Sequence, residues 1–278
     1  MIADKAMAFR SLHQRSDAFV IPNPWDVGTA KLLEQLGYEA LATTSAGLAF
    51  SLGRPDGAGA VSRDEALGHA RTIIESTVLP VSADLENGFG DDPEDCAETI
   101  RLAAAAGLVG ASIEDATGRV DSPIYPMDLA VARVKAAVAT ARALPFPFML
   151  TARAENLISG RPDFEDTLAR LQAFAAAGAD VLYAPGLVTS DQISAVVKAV
   201  APKPVNVLMG LPQANLTVSE LSELGIRRVS VGSALARTAY GAFLRGAREI
   251  AQTGSFAFAT EAVPFDEINE MFRIVRPQ

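Results

Sequence analysis

From end to end of the chain, short apolar runs alternate with longer stretches in which apolar residues recur every three to four positions. The short runs read as strands, and the 3.6-residue rhythm reads as amphipathic helix. Strands are expected at 19–22, 40–44, 81–84, 110–114, 146–152, 181–183, 205–208 and 228–231. Helices are expected between them, for example over 93–106, 128–143, 164–177 and 191–200. Eight strands with intervening helices predict an α/β fold, a parallel (β/α)8 barrel of the TIM type rather than an open sheet. The joints agree. Gly37, Gly107, Gly178 and Gly225 lead into the second, fourth, sixth and eighth strands. A glycine there accepts the left-handed conformation that closes a helix. Pro80, Pro147 and Pro204 lead into the third, fifth and seventh.

The barrel is expected to occupy 1–254, with a helical extension over 255–278. Residues 233–252 read as one long helix, able to fill the eighth outer position of the barrel. After a linker of small residues, Val263, Phe265, Ile268, Met271 and Phe272 form a second apolar stripe on a helix at 264–274. That surplus needs another surface, so a homo-oligomer is expected, a tetramer built as a dimer of dimers.

The formal net charge is −9, and lysines and arginines do not cluster. Nucleic acid and membrane are therefore poor partners. No apolar run approaches about 18 residues, the N-terminus lacks a leader-like apolar region, and Cys96 is the single cysteine. A cytoplasmic enzyme is the expected class.

In such barrels chemistry sits at the carboxyl ends of the strands. The third strand ends in Asp84-Leu85-Glu86-Asn87-Gly88-Phe89-Gly90, the fourth in Glu114-Asp115, and the fifth in Arg153-Ala154-Glu155. Asp56 lies in the loop after the second strand. These carboxylates converge on one rim. All-oxygen ligands favour a hard cation such as Mg²⁺, with Mn²⁺ as a substitute. Only His13 and His69 exist, both away from strand ends, which argues against a zinc site or a Ser-His-Asp triad. No lysine ends a strand, which argues against a Schiff-base aldolase. Arg153 suits clamping an anionic substrate, with a structural ion pair to Glu155 or Glu114 as the alternative.

The segments Thr44-Ser45-Ala46-Gly47-Leu48, Leu52-Gly53-Arg54-Pro55-Asp56, Ala83 to Gly90, Ile113-Glu114-Asp115 and Thr151-Ala152-Arg153 together resemble the isocitrate lyase/phosphoenolpyruvate mutase superfamily. The resemblance implies Mg²⁺ held directly by Asp84 and through water by Asp56, Glu86 and Glu114. It implies that Ser45 and the backbone N–H groups of Ala46 and Gly47 bind the substrate carboxylate, that Arg153 contacts its other oxygens, and that the C-terminal helix is exchanged between neighbouring barrels. Departures bear on the substrate. The cysteine motif of the isocitrate-type lyases is missing from the loop after the fourth strand, which reads Ala116 to Tyr125; within it Thr117 to Tyr125 is expected to be a mobile lid carrying Arg119 and Ser122. The expected function is a Mg²⁺-dependent lyase cleaving or decarboxylating a small 2-oxo or 2-hydroxy dicarboxylate through an enolate, with Glu114 and Arg153 catalytic. The alternatives are phosphorus–carbon chemistry and a non-catalytic carboxylate-binding barrel.

Overall fold

The computed structural model describes residues 1–57 and 59–273. The expectations for Ile274 and the rest of the 274–278 tail, and for Ala58 in the loop after the second strand, lie outside them. In chain order the elements are α1 (Ile2–Leu12), β1 (Phe19–Ile21), α2 (Val27–Gln35), β2 (Leu41–Ala42), α3 (Ser45–Ser51), α4 (Arg63–Ser76), β3 (Val81–Asp84) and α5 (Pro93–Ala105). Then come β4 (Gly110–Glu114), α6 (Met127–Ala143), β5 (Met149–Arg153), α7 (Phe164–Ala176), β6 (Val181–Tyr183) and α8 (Ser190–Val200). The last are β7 (Val205–Leu208), α9 (Val218–Glu223), β8 (Arg228–Ser230), α10 (Ala234–Thr253), a short 3-10 turn (Ala257–Glu261) and α11 (Phe265–Arg273).

All strand pairs are parallel, in the order β1-β8-β7-β6-β5-β4-β3-β2. One further hydrogen bond, from the Ala42 amide to the Pro22 carbonyl at 3.1 Å, links the two end strands. The result is the (β/α)8 barrel the alternation predicts, nearly closed. The glycines expected to end helices do so with φ of +87° at Gly37 and +102° at Gly178, conformations that an L side chain seldom adopts.

Two features depart from expectation. The first is α1, which closes the amino-terminal end of the barrel. Phe9 and Leu12 pack with Phe19, Ile21, Val109, Met149 and Val181. Phe9 fits because β4 begins with Gly110, where a Cβ would meet the Phe9 ring and the Met149 carbonyl, both at 2.8 Å. The second corrects the eighth outer helix. α10 does not fill that position: of its twenty residues only Ala236 and Gly246 are buried. Its apolar residues instead face outward, Phe243 being 67% exposed. The physical reason is that the stripe is apolar enough to need cover but is not turned toward its own barrel. α11 returns against α2, where Phe272 comes close to Gly28, yet none of its residues is buried.

Candidate active site

Register brings the acidic rim together. Asp84 lies opposite Ser112, Ser112 opposite Thr151, and Glu114 opposite Arg153. Side chains two residues apart on one strand share a face, so the ends of β3, β4 and β5 aim at a common point. That point is the Arg153 guanidinium. Nη1 reaches Asp84 Oδ1 at 3.0 Å, Nη2 reaches Glu114 Oε2 at 3.2 Å, and Nε donates to Glu155 Oε1 at 2.8 Å. The Tyr183 ring stacks beneath it, 5.0 Å from the guanidinium carbon to the ring centre. Arg153 is therefore both a member of the site and ion-paired with both of its alternative partners.

Asp84 is held from several sides. Its Oδ2 accepts from the Ser45 hydroxyl at 3.1 Å, its Oδ1 from the Glu86 amide at 3.3 Å, and its own amide donates to Thr43 Oγ1 at 3.1 Å. Glu86 adopts φ +46°, a strained conformation for a residue with a side chain. Its carbonyl is pinned by the Glu114 amide at 3.0 Å, which ties this turn to β4. Gly88 follows with φ +81°, and a Cβ there would strike Cys96 Sγ at 2.9 Å. Cys96 thus backs the turn from α5, as expected of a packing residue. Burial pushes its thiol up to about 11, so it is inert.

Burial of several carboxylates marks the cluster. Burial, with the charges of Asp84 and Asp56, raises the Glu86 carboxyl to about 7 against the opposing pull of Arg153. Burial likewise raises Asp56, Glu155 and, most strongly, Glu114. Asp56 sits on an exposed loop, but its carboxyl turns inward toward the Ser45 hydroxyl. Burial works against the Arg153 charge, but Glu155, Asp84 and Glu114 outweigh it and hold the guanidinium firmly protonated.

The segment expected to grip a carboxylate begins a short helix. Thr44 caps α3, its Oγ1 accepting from the Gly47 amide at 3.2 Å. The Ser45 amide faces Asp84 Oδ2 at 3.5 Å. Ser45 and Ala46 line the cavity, whereas Gly47 is buried behind them. Two adjoining spaces, both lined by Ser45, Asp56 and Arg153, open here. An inner cavity of about 200 Å³ runs from Ser45, Asp84 and Arg153 down into the barrel. An outer one of about 390 Å³ is lined by Glu86, Glu114, Glu155 and Arg119.

Arg119 reaches the outer cavity but pairs at 2.8 Å with Asp91. Ser122 does not line it; its carbonyl accepts from Thr117 Oγ1 at 2.5 Å. Together with the Ala116–Ile124 bridge, this makes the 116–125 loop a small hairpin, anchored by the Tyr125 hydroxyl donating to Asp91 at 2.6 Å. Asp115 points away from the cavity. It accepts from the Glu155 amide at 2.8 Å and pairs with Arg170 at 3.0 Å, fixing where Glu155 stands.

The sequence puts Glu155 on the rim with no role beyond a possible ion pair to Arg153, and it does not place Tyr183 or Asn206 in the site. For Glu155 the signal was present, since residues 153 and 155 fall on the same side of an extended chain. Among the described residues, no group of three or more His, Cys, Asp or Glu stands arranged to hold a metal ion unaided. The donor set at the rim is nonetheless all oxygen, and its raised carboxyls mark a place where more positive charge is favoured.

Comparison with known proteins places the chain in a family. Residues 9–251 match the family model described as phosphoenolpyruvate phosphomutase. A Burkholderia cenocepacia protein of known structure, assigned only to the lyase/mutase class, is 59% identical over 98% of this chain and 97% of its own, with a TM-score of 0.94. The oxaloacetate decarboxylase of Paraburkholderia xenovorans is 32% identical over 81% of this chain and 74% of its own. The structure of an oxaloacetate acetylhydrolase bound to its product oxalate is 27% identical, covers 97% and 94%, and has a TM-score of 0.85. The chain belongs to the phosphoenolpyruvate phosphomutase family, within the isocitrate lyase/phosphoenolpyruvate mutase superfamily.

Proposed function

We propose that the protein is a Mg²⁺-dependent lyase that cleaves or decarboxylates a small 2-oxo or 2-hydroxy dicarboxylate of the oxaloacetate type. The observation that carries this reading is one buried guanidinium, Arg153, ringed by Asp84, Glu114 and Glu155 at the mouth of an open cavity. The similarity to an oxaloacetate decarboxylase supports the substrate class.

The donor set fits a hard cation that keeps several of its waters. Asp84 would hold Mg²⁺ directly, with Asp56, Glu86 and Glu114 holding its waters. When bound, the ion would neutralise the negative charge that develops on the 2-oxo oxygen. The remaining work falls to the chain itself. Arg153 exchanges part of its carboxylate pairing for substrate oxygens, which its planar fork suits. The Ser45 hydroxyl turns from Asp84 toward the substrate carboxylate beside Ala46, while Gly47, its amide held by Thr44 Oγ1, backs this wall of the cavity. Glu114, whose carboxyl faces Arg153 Nη2 at 3.2 Å, is the group proposed to return a proton to the product carbon in place of a cysteine. Closure of the 116–125 hairpin, with Arg119 leaving Asp91, would exclude water.

The test is turnover of oxaloacetate, a panel of 2-oxo acids and phosphonopyruvate, with and without Mg²⁺, by wild type and Glu114→Gln. Mg²⁺-dependent release of carbon dioxide or a cleaved 2-oxo acid, lost in the variant, supports the lyase. Phosphate release from phosphonopyruvate alone moves the assignment to phosphorus–carbon chemistry, which the family description favours. No turnover on any substrate leaves a carboxylate-binding barrel.

The outward apolar face of α10 and the exposed Phe256 and Phe265 support a homo-oligomer, a tetramer in which neighbouring copies cover α10 while α11 lies against α2 of its own chain.

A further inference from the structure

Arg228 opens β8, and its side chain lies within the barrel, 6% exposed. Barrels of this type usually fill their interior with branched apolar side chains. Here the inner cavity is walled by Ser82, Ser112, Asn206 and Ser230, with Arg153 at its mouth and Arg228 at its floor. Every hydrogen-bond partner of Arg228 is neutral. Nε donates to Asn206 Oδ1 at 2.8 Å, Nη2 donates to Thr151 Oγ1 at 2.9 Å, and Nη1 lies 3.5 Å from His13 Nε2. Burial and the nearby Arg228 charge hold His13 near a pKa of 3, so it is uncharged at neutral pH.

A guanidinium carries five N–H donors, and these contacts use three. Among the described residues, no carboxylate stands within ion-pair distance of Arg228, whereas Arg153 in the same cavity has three. Burial and the Arg153 charge lower the Arg228 pKa to about 10, which still leaves it charged at neutral pH. A buried charge with no counter-charge is strongly disfavoured unless something anionic meets it. The space exists: the cavity of about 200 Å³ reaches Arg228, well beyond the roughly 30 Å³ that one water occupies.

We propose that Arg228, with Asn206 and Ser230, forms a second anion site at the floor of the barrel cavity, sized for a carboxylate or a small inorganic anion. The assignment of its occupant as the distal carboxylate of a dicarboxylate held at Arg153 rests on the lyase reading; the anion site itself does not. In that arrangement the two guanidiniums select a substrate with two acidic ends and reject one with a single end.

Thermal melts of the intact protein at fixed Mg²⁺ and ionic strength test it, comparing wild type with Arg228→Gln and Arg228→Lys. Chloride is titrated against gluconate, which is too bulky for the floor, and malonate against pyruvate, which carries one carboxylate. If the distal carboxylate is the occupant, malonate stabilises wild type, and its half-saturating concentration rises roughly ten- to a hundredfold in Arg228→Gln, as expected for loss of a charged hydrogen bond. Pyruvate is then unaffected and Arg228→Lys is intermediate. If a free anion is the occupant, chloride stabilises wild type and not Arg228→Gln. Equal responses of wild type and variant, or no response of wild type to either anion, overturn the site. Should Arg228→Gln fail to fold, the wild-type titrations and Arg228→Lys decide by the same criteria. Absence of turnover by wild type on every substrate of the panel would remove the lyase reading and leave these melts interpretable.

Discussion

Replacing His13 with glutamine should flatten the acid side of the stability curve. The imidazole is sandwiched at the barrel floor between Phe9 and Phe19, with ring centres 4.8 and 4.9 Å away. Its Nδ1 lies 2.8 Å from the Phe9 carbonyl, which requires a proton on that nitrogen, and its Nε2 faces the Arg228 guanidinium as an acceptor. A second proton would sit on Nε2 against a positive charge in a buried site. Burial first, and Arg228 second, therefore lower its pKa from the ordinary 6.5 to about 3. Between those values the unfolded chain binds a proton at this side chain and the folded chain does not. Stability thus rises with pH across the window and is lost as the pH falls below 6.5. At pH 4.5, two units into the window, the loss is about 2.7 kcal/mol, at about 1.4 kcal/mol per unit. For a chain of this size that corresponds to a melting shift of roughly 5–10 °C. Glutamine keeps an amide donor for Phe9 and does not titrate. The assay is a series of melts of wild type and His13→Gln from pH 7.5 to 4.5. The variant starts lower because the aromatic contacts go, and the gap should then close by the stated amount. Parallel curves would refute the neutral, buried imidazole.

Arg153→Lys keeps a charge but not the three-way fork, and should lower kcat/KM by roughly ten- to a hundredfold in steady-state assays of the turnover substrate. Unchanged kinetics would remove Arg153 from the site. Asp84→Ala should abolish Mg²⁺ binding measured by calorimetry, and an unchanged affinity would displace the metal from β3. Gly47→Ala should destabilise by about 1–3 kcal/mol, because overpacking is costly and its Cβ would lie 2.5 Å from Thr44 Cγ2; chemical denaturation reads this out. Phe243→Glu, on the outward face of α10, should lower the particle mass seen by light scattering, whereas a monomeric intact chain at micromolar concentration would overturn the oligomer.

Local chemistry alone determined much of this molecule. The alternation of apolar runs with 3.6-residue periodicity, punctuated by Gly37, Gly107, Gly178 and Gly225, specifies the strands and the turns that end the helices, since both follow from neighbours in the chain. The rim was legible too: Asp84, Glu86, Glu114 and Arg153 end successive strands, and a parallel barrel brings strand ends to one side. Other features were decided by closure of the barrel. Nothing near Arg153 in the chain says that its three N–H edges would be divided among Asp84, Glu114 and Glu155, because those distances depend on strand register. The hidden α1, with Phe9 against Gly110, became visible only when an amino-terminal helix met an open barrel floor. α10 has a long apolar stripe whatever its surroundings, but the direction it faces is set by the turn after β8. Arg228 reads in the chain as one more polar residue at the start of a strand. Only the closed barrel surrounds it with neutral partners, because burial and the absence of a counter-charge are properties of what packs around a side chain.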